Sequence, residues 1–200
     1  DRNRLAIVTG DVGKLHIQPE FGGALFQVAS QFNALEMVGP DVTPEMGVTR
    51  YQFDRTQATA CAIAAGAATI YRNYFVPVGG QNGQTRDVQL DGLAPLGARL
   101  ASMTGLPVDR LWTMRNGYAL CSRFGLEAIG RVLSSASETD LDALRSEVCV
   151  GLHWDVEVTA LGTREPSSPG PLVSQAFCSA LPVAYSELPA RSWTSFAKLI

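Results

Sequence analysis

Three acidic residues, Glu36, Glu45 and Asp54, lie close together in the first third of the chain. Carboxylates placed together can orient a water molecule and stabilise an oxocarbenium-like centre. We therefore take these three residues as candidate catalytic groups. A simpler interpretation is also open, in which Asp54 only caps the apolar helix that follows it.

A polar cluster follows a predicted strand within the sequence FQVASQFNALEM, residues 26–37. Burying an amide without partners costs on the order of 1–3 kcal/mol, so amides at the end of a core strand need a reason. Gln31 and Asn33 each donate and accept hydrogen bonds, which suits the recognition of a ribose or an amide. The alternative is that Ser30 caps a helix after the strand.

Two other segments place polar groups where a strand ends or a helix begins. Asp11 follows Gly10 after the first apolar run, as a turn or cap residue or as a carboxylate that receives the exocyclic amine of a base. Arg55, Thr56 and Gln57 precede an apolar helix, whose free backbone N–H groups form an anion site or are simply capped.

The segment after the last predicted strand is rich in small residues, which allow a backbone to approach a phosphate closely. An ordinary strand-to-helix loop would have the same composition. The candidate binding residues in this segment are Ser179, Ala180, Leu181, Val183, Ala184 and Tyr185.

A cysteine-based hydrolase is the competing interpretation of the chemistry-bearing residues. Cys61 would be the nucleophile, His153 the base, and Asn116 or Asp155 the group that orients the base, with Gln57 upstream for an oxyanion. Cys61, however, lies several residues inside an apolar helix, where burial raises the pKa of a thiol and blocks access to it.

Size and composition predict one soluble domain over residues 1–200, with its last helix cut short. The chain is 46% hydrophobic and 18% charged, and its net charge of −3 argues against nucleic acid or an anionic membrane as the main partner. No segment approaches the roughly 18 apolar residues of a membrane helix. The scattered cysteines indicate reduced thiols and a cytoplasmic location, with a secreted effector left open. Neither a metal nor a cofactor is expected.

Apolar patterning predicts an α/β fold, a three-layer α/β/α sandwich with a mixed sheet. The predicted strands cover residues 4–8, 24–29, 112–120, 148–159 and 172–178, with a break at Asn116 and Gly117. The predicted helices cover residues 58–74, 93–102 and 124–133, and a last helix begins at Ser192. Ligands of such sheets bind beyond the carboxyl ends of the strands, where the polar cluster falls.

Two stretches resemble macrodomains: VTGDVGKLH with QVASQFNALE near the start, and CSALPVAYS near the end. The resemblance implies a three-layer domain that binds ADP-ribose or an ADP-ribosylated protein, and the acidic residues favour the glycohydrolase branch. It also implies that Asp11 receives the adenine amine, that Asn33 lies near the distal ribose, and that residues 179–185 surround the diphosphate.

The sequence departs from that family where a Gly-rich run normally follows the Asn-bearing stretch. Residues 35–57 replace it, and they carry all three acidic candidates. The resulting hypothesis is an ADP-ribosylhydrolase in which Glu45 and Asp54, with Glu36 behind them, hold the water or the scissile group. The alternatives are a module that binds ADP-ribose without cleaving it, the thiol hydrolase, and an α/β module without a ligand.

Overall fold

The structure is a computed structural model that describes residues 4–54, 56–149, 151–159 and 169–200. Its strands are β1 (Leu25–Ser30), β2 (Pro77–Val78), β3 (Gln81–Asn82), β4 (Trp112–Arg115), β5 (Tyr118–Cys121), β6 (Gly151–Glu157) and β7 (Leu172–Ser179). Its α-helices are α1 (Val12–Leu15), α2 (Gln57–Ala64), α3 (Gly66–Ile70), α4 (Ala94–Thr104), α5 (Val108–Leu111), α6 (Arg123–Ser134) and α7 (Glu138–Arg145). Short 3-10 turns at Val48–Phe53, Val183–Tyr185, Ala190–Trp193 and Phe196–Lys198 connect them.

A mixed sheet accompanies the helices, which confirms the α/β class. In the described ranges this sheet has three strands in the order β1-β7-β6. Strands β1 and β7 are parallel, with Leu25 opposite Ser174 and Ser30 opposite Ser179, whereas β6 runs antiparallel to β7. The carboxyl ends of β1 and β7 therefore lie side by side.

The two faces of this sheet differ in their cover. Val28 and Phe177 on the inner face pack against Cys61 of α2, and Val173 packs against Ala64. The outer face exposes large apolar side chains, with Trp154 at 65% exposure and Leu152 about half exposed. Within the described residues, the packed layer thus covers the inner face alone.

The largest hydrophobic core lies in the helical part of the chain. Helices α4, α6 and α7 and the β4–β5 hairpin enclose it, with Leu100, Ile129 and Leu144 almost fully buried. Trp112 stacks on Phe196 with their ring centroids 5.3 Å apart. Ser137 and Asp140 form a capping box at the start of α7, which satisfies two backbone N–H groups there.

Residues 58–74 were expected as one helix, and the structure divides them into α2, α3 and a π-helical turn at Tyr71–Phe75. The helix breaks here because groups outside its own hydrogen-bond ladder bind the carbonyl oxygens of α2. The Thr69 hydroxyl donates to Ala62 O at 2.7 Å, and the Thr159 amide donates to Ala64 O at 3.0 Å. The chain turns at Ala65, whose ψ of 56° is not helical.

Both ends of the chain differ from the sequence-based expectation. Residues 4–8, predicted as a buried strand, form no strand, and Leu5 and Ile7 are 91% and 96% exposed. The last helix predicted from Ser192 is instead a pair of short 3-10 turns, which bury Trp193 and Phe196 in the main core. In both segments local apolar content was misleading, because tertiary packing decides the local structure. Over the described residues, no helix is long and apolar enough to cross a membrane.

Candidate functional site

The segments that follow β1 and β7 meet at the carboxyl end of the sheet. The Tyr185 hydroxyl donates a hydrogen bond to the carbonyl oxygen of Val38 at 2.8 Å, and so joins the two predicted site segments. Leu181 and Val183 pack against the main core, while Ala180, Ala184 and Tyr185 are exposed. Ser179 is partly buried as the last residue of β7.

The β4–β5 hairpin fills the space beyond the carboxyl end of β1. The Phe32 amide donates to Gly117 O at 2.9 Å, and the Tyr118 hydroxyl donates to the carbonyl oxygen of Met37. Tyr118 also contacts Tyr185 edge to face, with ring centroids 5.1 Å apart. Protein side chains thus occupy the position where an open α/β sheet would hold a ligand.

The amides of the polar cluster bind protein groups. Asn33 is fully buried, and its Oδ1 accepts a hydrogen bond from the Leu35 amide at 3.0 Å. Gln31 Oε1 accepts from the Met37 amide at 2.6 Å. These bonds shape the turn after β1, where the helix predicted after Ser30 does not form. Gln84 Nε2, which the sequence did not single out, donates to Asn33 O at 2.9 Å.

A chain of side-chain amides leads from Asn33 to the surface. Asn33 Nδ2 donates to Gln89 Oε1 at 2.9 Å, and Gln89 Nε2 donates to Asn116 Oδ1 at 2.9 Å. Asn116 Nδ2 in turn donates to Pro40 O at 2.7 Å. We call Asn33, Gln89 and Asn116 the amide chain, and it ends at a cleft.

This cleft, the polar cleft, has a volume of about 660 Å³ and is open to solvent on one side. Asp41 pairs with Arg115 at its edge. Glu45 lies beside it, because its Oε1 accepts a hydrogen bond from the Arg86 amide at 2.6 Å. The lining residues are Asp41, Thr43, Arg86, Asp87, Gln89, Leu90, Asp91, Met114, Arg115 and Asn116. Its size and polarity suit a small polar ligand.

Glu36 and Asp54 are near enough for the charge of one to act on the other. Burial, and to a smaller extent the Asp54 carboxyl, raise the pKa of Glu36 to about 8, against opposing effects of Arg72 and Gln31 that are included in this value. At neutral pH Glu36 therefore carries a proton beside a second carboxyl group. A carboxyl group perturbed in this way marks a candidate functional site.

Arg72 and Tyr51 complete this group, which we call the Glu36 cluster (Glu36, Tyr51, Asp54 and Arg72). Arg72 is only 4% exposed, and burial lowers its pKa to about 10. Its guanidinium lies 3.8 Å from the centroid of the Phe177 ring, and its Nε donates to Ala34 O at 2.8 Å. Burial, with a smaller contribution from Glu36, raises the pKa of Tyr51 to about 12. A lone arginine within the apolar run 58–74 was a sequence signal for this site, and it was overlooked.

A small cavity lies at the Glu36 cluster, between the end of β1 and the start of α2. Its free volume is about 10 Å³. Besides Glu36 and Arg72, its walls are Val28, Ala29, Ser30, Ala58, Cys61, Ala62 and Phe177. Asp54 is only partly buried and Thr56 is exposed, so the cluster also has a side that faces outward.

The other predicted binding residues lie at helix starts. Asp11 caps α1, and its Oδ1 accepts hydrogen bonds from the Gly13 and Lys14 amides, which confirms the cap interpretation. Asp54 Oδ1 accepts from the Thr56 amide at 2.8 Å, immediately before α2, and Gln57 is the exposed first residue of that helix. Arg55 lies outside the described residues.

The surroundings of Cys61 weigh against a thiol nucleophile. Cys61 is 1% exposed, and burial together with a smaller effect of Glu36 raises the pKa of its thiol to about 12. Burial also lowers the pKa of His153 to about 4, and Arg72 acts in the same direction. At neutral pH both groups are uncharged, so this pair lacks the thiolate that attacks in such enzymes.

Alkylation of the native protein with iodoacetamide at pH 7.5 is expected to distinguish the cysteines. Cys149 is exposed and should react at least ten times faster than Cys61, whose thiol is inaccessible. Mass spectrometry of the labelled peptides over time gives both rates, and labelling in denaturant serves as the control in which the two rates converge. Equal rates in the native protein would show that the Cys61 thiol is accessible and would make it a candidate nucleophile again.

No protein family model, curated protein or solved structure matches this chain. The assignment of a function therefore depends on the groups that the fold brings together. Two places stand out in the described residues: the Glu36 cluster, where a protonated carboxyl lies beside Asp54, and the polar cleft, which the amide chain connects to the end of β1.

Proposed function

We propose that the chain is a hydrolase that removes ADP-ribose from modified protein side chains, with Asp54 and Glu36 as its carboxyl pair. The observation that carries this proposal is the partly buried Glu36 carboxyl at the cavity between β1 and α2, where burial first and the charge of Asp54 second hold its pKa near 8. Pairs of carboxyl groups with separated pKa values perform acid and base roles in glycoside cleavage. The resemblance to macrodomains supplies the choice of ADP-ribose.

In the proposed reaction, the Asp54 carboxylate takes a proton from water as the water oxygen bonds to C1 of the distal ribose. The bond from C1 to the side-chain atom of the modified residue breaks, and the protonated Glu36 gives its proton to that leaving atom. One water is consumed, and free ADP-ribose and the unmodified side chain are released. Glu45 lies at the polar cleft beside Arg86, away from this carboxyl pair, and has no step in the proposed reaction.

The rest of the hypothesis belongs to the same proposal. In this proposal Gln31 and Asn33 hold the turn after β1 through bonds to protein groups, and residues 179–185 keep the binding role that the resemblance implies. A three-layer, macrodomain-like domain would need a further layer over the outer face of the sheet. We also propose a cytoplasmic location, with ADP-ribosylated protein as the partner.

The test is the Asp54→Asn variant. Asn keeps the size of the side chain and removes the base, so we expect about a 100-fold loss of turnover, in the usual range for a general base. The affinity for ADP-ribose should stay within about threefold of that of the unsubstituted protein, because the base acts in the transition state and contributes little to ground-state binding. Release of ADP-ribose from a modified protein measures the first quantity, and calorimetry measures the second.

Asp109→Asn is the matched control, because Asp109 is an exposed residue in the first turn of α5. It should leave both quantities unchanged. Turnover in the Asp54→Asn variant equal to that of the unsubstituted protein would refute the assignment of Asp54. Failure of the unsubstituted protein to bind or release ADP-ribose would refute the proposed substrate.

A module that binds ADP-ribose without cleaving it is the second candidate, and the polar cleft favours it. This cleft has the volume of a small-molecule site, yet neither Glu36 nor Asp54 lines it. Binding by the unsubstituted protein, lost in Arg86→Ala and accompanied by no release, would select this function.

A further inference from the structure

Two buried atoms of the Glu36 cluster lack hydrogen-bond partners among the described residues. They are Oε2 of Glu36 and Nη1 of Arg72. Both residues line the same small cavity between β1 and α2. Buried polar atoms are nearly always paired with protein or with ordered water, so this coincidence calls for a partner inside the cavity.

The two atoms do not satisfy each other. The ion pairs of the described residues do not include one between Glu36 and Arg72. Arginine has only donors, whereas a carboxyl oxygen accepts, or donates when it carries the proton. A molecule that joins them must therefore accept from Nη1 and be able either to donate to Oε2 or to accept from it. Water meets this requirement in either protonation state of Glu36, whereas a halide or another simple anion meets it only while Oε2 carries the proton.

The size of the cavity also fits a single water molecule. A cavity needs a free volume of roughly 10–15 Å³ to hold one water molecule. The free volume of this cavity, about 10 Å³, is therefore just enough for a single water. Apolar side chains, among them Val28, Ala62 and Phe177, form much of the remaining wall. The cavity is thus too small for a larger ligand, and only one part of its wall is strongly polar.

We propose that one ordered water occupies this cavity and bridges Oε2 of Glu36 and Nη1 of Arg72. The proposal goes beyond the proposed function, because it holds whatever substrate the protein takes. The water gives the buried guanidinium an acceptor without requiring an ionised Glu36. It therefore allows a protonated acid and a buried cation to share one site.

A crystal structure of the protein in which ordered waters are visible tests the occupant directly. We expect one density peak within hydrogen-bond distance of both atoms, with no anomalous signal after a bromide soak. An empty cavity would overturn the proposal. So would a bromide peak in this position, because it would identify an anion site.

The second test fills the cavity by the Ala62→Val substitution and counts long-lived internal waters by ¹⁷O relaxation dispersion. The unsubstituted protein should hold one more such water than the variant. Ala64→Val is the matched control, because Ala64 is equally buried in α2 but packs against Val158 and Val173, away from the cavity. An equal count in the unsubstituted protein and a folded Ala62→Val variant would contradict the proposal. If Ala62→Val does not fold, the crystallographic test still decides.

Discussion

The Glu36→Gln variant is expected to have a free energy of unfolding about 3 kcal/mol higher than the unsubstituted protein at pH 7, because pH 7 lies about 2.5 units above the ordinary pKa of 4.5 and below the folded pKa of about 8, at about 1.36 kcal/mol per unit. In the unfolded chain the carboxyl of Glu36 ionises near its ordinary pKa of 4.5, whereas in the fold burial keeps it protonated until about pH 8. Folding therefore takes up a proton, which costs free energy above pH 4.5. Gln has the shape of a protonated Glu and does not incur this cost.

The sign of the effect fixes its pH dependence. Below pH 4.5 Glu36 is protonated in both states, so the two proteins should be equally stable at pH 4. Between pH 4.5 and 8 the unfolded state loses the proton and the folded state keeps it, so the difference should grow. Above pH 8 the carboxyl is ionised in both states and the difference should level off. Urea unfolding at half-unit steps of pH measures this curve.

Glu45→Gln is the control for this experiment. Glu45 is exposed, and its pKa lies below the ordinary value, so its protonation changes only at acidic pH. Its effect on stability should be constant from pH 5 to 8. A Glu36→Gln difference that is equally flat over this range would mean that Glu36 titrates normally and that the cluster does not perturb it.

The Gly125→Ala variant is expected to lower the free energy of unfolding by about 3 kcal/mol, the upper end of the usual cost of overpacking. A Cβ at Gly125 would lie 2.0 Å from the carbonyl oxygen of Leu111, which is backbone and cannot rotate away. The Gly125 amide also donates to Ser122 Oγ at 2.9 Å, the cap of α6. Relief of the clash must therefore shift α6 against a fully buried Leu111.

The Gly130→Ala variant, in the same helix, is expected to raise the free energy of unfolding. A Cβ there would have ordinary contact with Ser195 Oγ at 3.4 Å, so the change should stabilise α6 by about 0.5–1 kcal/mol through helix propensity. Thermal unfolding of the two variants side by side measures both effects. A Gly125→Ala protein as stable as Gly130→Ala would show that α6 does not press against α5 as the structure describes.

The sequence predicted well those elements whose pattern is local. The period of Phe124, Leu126, Ile129 and Leu133 predicted α6, and the alternation along residues 148–159 predicted β6. Asn116 and Gly117 marked the turn of the β4–β5 hairpin, and both have positive φ angles in the structure. In these segments the local preference and the tertiary environment agree.

Prediction was weaker where distant contacts decide. The helix expected over residues 58–74 is broken by hydrogen bonds from Thr69 and from Thr159, and the second comes from far along the chain. Asn33 was expected at a ligand, yet its partner Gln89 lies in a loop whose position no local pattern predicts. Glu36 and Asp54 were both proposed as catalytic groups, but Arg72, which lies among them, was not. Spacing along the sequence identifies candidate groups, but only the fold identifies their neighbours.

The parallel pairing of β1 with β7 has a consequence for how the protein folds. Their paired residues, such as Leu25 and Ser174, are about 150 positions apart in the sequence. Closing a loop of this length costs entropy before any contact is gained, and contacts of this kind slow folding. Helices α4, α6 and α7 can form from nearby residues, but β1 leaves the ribosome long before its partner exists. During synthesis β1 must therefore wait, unpaired, until Leu172–Ser179 emerges, and that pairing is expected to set the rate at which the sheet is completed.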